Sequence, residues 1–200
     1  MGDFKRRVFM RFIRNALFAT AALAAIAAGN FATTPLSAQE KTVMVGGAAM
    51  YPNKNIIQNA MNSKDHTTLV AAVKAAGLVD TLEGPGPFTV FAPTNEAFAA
   101  LPKGTVDNLL KPENKDKLVK VLTYHVVKAD AMADTIKKMI KDDGGKHTIT
   151  TVSGGKLVAM MKGDKIELQD ENGGIATVTI ANVKQSNGVI HVIDHVLLPK

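Results

Sequence analysis

The sequence predicts an α+β fold in a single domain, and three features carry that prediction. Apolar residues recur at helical spacing through much of residues 56–142, and the period turns strand-like from His147 onward. Between them, one short strand at Phe88–Phe91 runs within two residues into a helix. Helices followed by closely spaced strands read as segregated layers rather than βαβ repeats, and no stretch of the chain is duplicated.

That strand-to-helix corner, FTVFAPTNEAF from Phe88 to Phe98, organises the rest. Phe88, Thr89, Val90 and Phe91 are β-branched or aromatic, and Pro93 stops strand pairing. Thr94 stands at the N-cap position, Asn95 and Glu96 open the helix, and Glu96 sets a negative charge at its positive end. Ala97, Phe98, Ala99 and Leu101 carry it into apolar packing, and Pro102 closes it.

In chain order, residues 1–38 read as a secretory signal peptide. MGDFKRRVFMRFIRN is basic, and Ala16–Gly29 is an apolar run of 14 residues, short of the roughly 20 that span a bilayer. Cleavage is expected after Ala38, and Lys5–Arg11 also resembles a twin-arginine export signal, leaving both routes open. Residues 39–54, with Gly46-Gly47 and Pro52, read as a flexible approach to a domain at 55–200. A short helix is expected over Ile56–Met61, and a longer one after Asp65-His66-Thr67-Thr68 that stops at Gly77. Beyond Pro102, Val106, Leu109 and Leu110 mark a short helix, and Leu118, Val121, Leu122 and His125 share the face of another. Asp130 is the expected cap of the last helix. Strands follow at His147–Val152, Lys156–Met161, Lys165–Gln169, Ile175–Ala181 and Val189–Leu198, joined by short Gly-rich turns as an antiparallel meander.

Composition narrows the chemistry. The chain has no cysteine, which excludes disulfides, thiolate zinc sites and cysteine nucleophiles. Its formal charge of +6 belongs largely to the leader, which holds every arginine; residues 39–200 carry 19 lysines against 17 acids. Without the planar guanidinium fork and with lysines alternating with acids, nucleic-acid binding is not expected.

Two further segments stand out. SNGVIHVIDHVLLP, Ser186 to Pro199, follows the corner at a distance, and Tyr124-His125 lies between them. These three boxes, in this order, resemble the signature of the fasciclin-domain family over about Asn55 to Lys200. The resemblance implies a β-sandwich-like wedge with a layer of short helices, closed by the two outer boxes packed side by side. Their structural residues here are Phe88, Thr89, Phe91, Pro93, Thr94, Asn95 and Phe98 in the first box, and Asn187, Gly188, His191, Val192 and Asp194 in the second. It also implies adhesion and receptor binding through the pair Tyr124 and His125, although His125 lies on the apolar face of its helix and reads first as a buried neutral histidine. The integrin-associated Asp-Ile pair of the family is replaced by Asn182-Val183.

Other sites fall to structural readings. His191 and His195 would pair on one zinc if helical, but on a strand they stand about 13 Å apart. Asp194, expected on the buried face of that strand, needs backbone or hydroxyl donors. Asp170-Glu171-Asn172 reads as a solvated turn. The sequence therefore points to an exported, non-catalytic binding module of the periplasm or cell surface, with no cofactor. Its expected partner is a surface or matrix protein or a polysaccharide. The alternative is a periplasmic small-ligand carrier or hydrolase with a cleft beside the two boxes.

Overall fold

The computed structural model describes residues 42–200, so the leader expected at 1–38 lies outside the described residues. A hairpin, β1 (Val43–Val45) and β2 (Ala48–Met50), opens the described chain. Then come α1 (Ile56–Ala60), a 3-10 turn at Lys64–His66, α2 (Thr67–Ala76) and α3 (Val79–Glu83). The corner follows as β3 (Phe88–Pro93) and α4 (Asn95–Ala99), before α5 (Thr105–Leu109), α6 (Lys115–Tyr124), β4 (Val126–Val127) and α7 (Ala133–Asp142). The strand region comprises β5 (Lys146–Thr150), β6 (Lys156–Lys162), β7 (Lys165–Gln169), β8 (Ile175–Gln185) and β9 (Gly188–Ile193).

Seven strands pair in the order β4-β3-β9-β8-β7-β6-β5, and β5 to β9 form the expected antiparallel meander. One pair departs from it: β3 and β9 run parallel. The eleven-residue β8 joins the two halves of the sheet. Its first residues pair with β7, the remainder with β9, and register shifts between Val178 and Val183 turn the chain from one half to the other. Those irregularities are how an open sheet bends into a wedge.

The parallel pair is buried on both faces, as parallel strands generally are. Val90, Ala92, Ile190 and Val192 point into a cluster with the helices α1, α2, α4 and α6. Phe91 and Ile193 point the other way, into a second cluster with Ile136 and Ile140 of α7 and Leu157, Leu168 and Ala176 of β6, β7 and β8. Each fully buried aliphatic or phenyl side chain contributes about 1.5–3 kcal/mol relative to exposure. The two boxes are thus the partition between two cores, which explains why FTVFAP is apolar without alternation.

Three expectations need correction. Residues 42–54 contain the β1–β2 hairpin rather than a featureless approach: Gly46 and Gly47 take φ of +58° and +74°, the geometry of a type I′ turn, and Val45 and Met50 are buried. The N-cap position of α7 is Met132, not Asp130; the Ala133 N–H is met from outside, donating to Asn182 Oδ1 at 2.7 Å. The last strand ends at Ile193 rather than Leu198. The Thr177 N–H donates to Asp194 Oδ1 (2.7 Å), and Asp194 lies half-exposed past the strand end, off its buried face.

Candidate functional site

Phe88 faces Gly188, Phe91 faces His191, and Ala92 faces Val192 across the parallel pair. The start of this pair is unusually close. A Cβ on Gly188 would stand 2.0 Å from the Phe88 carbonyl oxygen, and one on Gly86 would stand 2.0 Å from the Asn187 carbonyl oxygen. Asn187 locks the junction: its Oδ1 accepts from the Ile56 N–H at the start of α1 (3.1 Å). Its amide donates to the carbonyls of Leu82 (2.7 Å) and Gly84 (3.0 Å) at the end of α3. One side chain therefore ties two helices to the turn between β8 and β9.

The first box uses its polar groups in the same manner. Thr89 is fully buried; its hydroxyl donates to the Ala129 carbonyl (2.6 Å) and accepts from the Ala131 N–H (2.9 Å). Pro93 ends β3, and the Thr94 N–H donates to Ile193 O (3.3 Å) while its hydroxyl caps α4 by accepting from Ala97 N–H (3.3 Å). Asn95 does more than open α4. Its Oδ1 accepts from the Thr68 N–H (3.0 Å) in the first turn of α2, and its amide donates to Lys64 O (2.8 Å). Phe98 packs in the helix-side cluster.

His191 is fully buried and stacks on Phe91 with ring centroids 5.8 Å apart. Its Nδ1 accepts from the Asn182 N–H (3.3 Å), which places the proton on Nε2, donating to Ala131 O (2.8 Å). Burial holds this imidazole below its ordinary pKa. Asn182, at φ +62°, joins His191 to the start of α7.

Tyr124 and His125, the expected contact pair, present almost no surface: Tyr124 is 0% and His125 3% exposed. His125 Nε2 accepts from the Leu197 N–H (3.0 Å), so Nδ1 carries the proton and donates to Val121 O (2.8 Å). Burial pushes its pKa down to about 4. The Tyr124 hydroxyl donates to Lys156 O (2.6 Å) and accepts from the Glu171 N–H (3.2 Å). Burial raises its pKa to about 12, so the phenol keeps its proton at any physiological pH. Beside it, Asp170 is buried rather than solvated. Its carboxylate accepts from the N–H groups of Asn172 (2.9 Å), Gly174 (2.7 Å) and Leu198 (2.9 Å), fastening the C-terminal segment. Tyr124→Phe deletes two of these hydrogen bonds and is expected to cost about 1–2 kcal/mol, read as a lower urea midpoint at unchanged m.

Asp194 Oδ1 also accepts from His195 Nδ1 (2.9 Å). Partial burial pushes its carboxyl up, but the hydrogen bonds from His195 and Thr177 outweigh this and hold it below the usual carboxylate range. His191 and His195 have separate partners, and among the described residues no group of three or more acidic or histidine side chains could hold a metal. One Ser–His pair does occur among the described residues, outside the two boxes in sequence: Ser63 Oγ lies 2.9 Å from His66 Nδ1. In a nucleophilic dyad a third group orients the base; among the described residues no acidic side chain is hydrogen-bonded to His66, whose second nitrogen faces the Ala92 backbone.

A profile of the Fasciclin domain matches residues 64–199. The chain belongs to the fasciclin-domain family. It is 48% identical over 172 residues to protein sll1483 of Synechocystis, covering 84% of this chain and 86% of that one. It is 36% identical over 160 residues to the cell surface glycolipoprotein MPB83 of Mycobacterium bovis, covering 78% of this chain and 64% of that one. Among solved structures it resembles a FAS1 domain pair from the insect cell adhesion molecule fasciclin I, with 26% identity and a TM-score of 0.52 over 65% of this chain and 43% of that one.

Within this fasciclin domain, sequence reasoning missed several fastening residues. Asn59 is fully buried; its Oδ1 accepts from the Tyr51 N–H (3.0 Å) and its amide donates to Tyr51 O (2.8 Å) and to Gln185 Oε1 of β8. A polar residue between Ile57 and Ala60 on a short helix was the available signal. His66 lies in the stretch expected to precede α2 and Asp170 in an expected solvated turn, and burial was not visible in either.

Proposed function

We propose that this fasciclin domain is an exported, non-catalytic binding module that holds a surface protein, matrix protein or polysaccharide against the cell. The observation that supports it best is the use of the two boxes' polar groups. Thr89, Asn95, Asn187, His191 and Asp194 each have hydrogen-bond partners within the frame. A site devoted to chemistry keeps a nucleophile or base directed at substrate; these groups are directed at backbone. The names of the relatives, a cell surface glycolipoprotein and a cell adhesion molecule, point the same way.

Under this reading Tyr124 and His125 shape the frame and do not touch the partner. Contact falls to exposed apolar side chains, of which Met44 (58%), Tyr51 (42%) and Met61 (54%) are prominent at the hairpin and α1. The test immobilises the exported protein and offers it envelope extracts and purified surface polysaccharides of the producing cell. Retention of a defined component, lost in Met44→Asp/Tyr51→Ser and kept in Tyr124→Phe, is the expected result. No retention, or turnover of an ester or glycoside by the purified protein, would sink the proposal.

A further inference from the structure

A cleft of about 440 Å³ opens where the two boxes meet, at the first pair of β3 and β9. Pro85 and Pro87 form one part of its wall. The end of β8 and its turn into β9, from Lys184 through Ser186 to Gly188, form another. Asp130, in the loop before α7, also lines it. That volume suits a small molecule, since ligand clefts run from roughly 300 to 1,000 Å³.

Two of the lining residues are charged, and their signs are opposite. Val183 and Gln185 are buried on either side of Lys184, so Lys184 is the residue that β8 turns outward here. The Asp130 carboxylate lies close enough to the buried His191 ring to favour its protonated form, which places the acid on the box side of the cleft. Although both line one cleft, neither is in an ion pair among the described residues, with each other or with any third group. An acid and a base that face one space without closing on each other leave room for a group between them. Backbone donors of the wall do not compete for it. The Ser186 N–H donates to Lys54 O (2.9 Å), the Phe88 N–H to Asn187 O (3.1 Å), and the two prolines have no N–H.

We propose that this cleft binds a small zwitterion of the amino-acid class, its ammonium on the Asp130 carboxylate and its carboxylate on the Lys184 ammonium. Such a molecule is recognised at both ends, whereas a simple amine or a simple acid is recognised at one. The proline rings offer uncharged methylene surface to the carbon frame between them. A few placed polar groups over an apolar wall are what fix a ligand's orientation in a cleft. Met44, Tyr51 and Met61 do not line it, so the site is separate from the adhesive surface proposed above, and either can fail without the other.

The test is amide NMR on the full chain, titrated with glycine, β-alanine and 4-aminobutanoate, and with ethylamine and propionate as controls that carry one charge each. At least one zwitterion is expected to shift the Asp130, Lys184 and Gly188 amides and to bind at least about threefold more tightly than either control, the factor that one exposed ion pair supplies. Molar salt, which screens exposed charges, is expected to erase that preference. Asp130→Lys and Lys184→Glu should each remove it as well. Combined, the two substitutions exchange the charges. A zwitterion can reverse its direction, so the double variant is expected to regain the preference, an outcome that a purely structural role for either residue does not produce. Both positions are exposed, and unchanged circular dichroism is expected in all three variants. The proposal is overturned if no zwitterion binds more tightly than both controls. It is equally overturned if the single variants bind as the unaltered chain does, or if the folded double variant fails to regain the preference.

Discussion

Gly188→Ala is expected to destabilise the domain by at least about 4 kcal/mol, in the range that single substitutions reach only through a named steric or electrostatic defect. The added methyl would stand 2.0 Å from the carbonyl oxygen of Phe88 and within 2.9 Å of its nitrogen. Both are backbone atoms of a strand buried on two faces, so neither can rotate away. Relief requires β3 and β9 to part at their first pair, which breaks the Phe88 N–H bond to Asn187 O (3.1 Å). It also draws Asn187 off the ends of α1 and α3. Gly154→Ala is the control. Gly154 also has a positive φ, +85°, but nothing lies within 4 Å of its added Cβ. Only backbone strain remains there, about 1–2 kcal/mol. Urea midpoints followed by far-ultraviolet circular dichroism measure both. Equal losses for the two variants would mean that the close approach of the boxes contributes nothing.

The contrast between those glycines also shows what a sequence can and cannot convey. Local chemistry was legible: Thr94 caps α4, Gly77 ends α2 at φ +73°, and β7 occupies Lys165–Gln169 as the pattern predicts. The signal for the hairpin at Val43–Met50, two glycines between apolar runs, was legible as well, although those residues read first as a flexible approach. Partners distant in sequence were not. Nothing in the residues flanking Phe88 or Gly188 states that these strands run parallel, because a parallel pair needs a long excursion between them. The asparagines illustrate the limit most clearly. Asn95 reads as the opening of α4 and Asn187 as part of a turn, and each makes its decisive hydrogen bonds to a helix encoded elsewhere. The family resemblance placed the two boxes side by side; the residues alone gave no reason for it.

Buried histidines give the second large effect, a steep loss of stability in mild acid. His125, His66 and His191 are all buried, and burial lowers the pKa of each, His125 from 6.5 to about 4. In the unfolded chain these imidazoles take up protons as the pH drops below 6.5, whereas in the folded chain they resist. The unfolded state therefore binds more protons between pH 6.5 and 4, and stability must rise with pH across that window. Present in full above 6.5, the His125 contribution is lost as the pH falls towards 4; its size is about 3 kcal/mol at 1.36 kcal/mol per pH unit. His66 and His191 add in the same direction. Charging His125 would also remove the acceptor for the Leu197 N–H, so the C-terminal segment is expected to loosen first. The depressed carboxyls of Asp194 and Glu171 keep their contributions above their unfolded values of 3.8 and 4.5, so the loss between pH 6.5 and 4.5 belongs to the histidines. Urea unfolding at pH 7.0, 5.5 and 4.5 should show the midpoint falling at each step, with the His125 ring still neutral by NMR at pH 5.5. A flat midpoint from pH 7.0 to 4.5 would mean that these rings are reached by water in the folded protein, and that the frame around the boxes is looser than its hydrogen bonds imply.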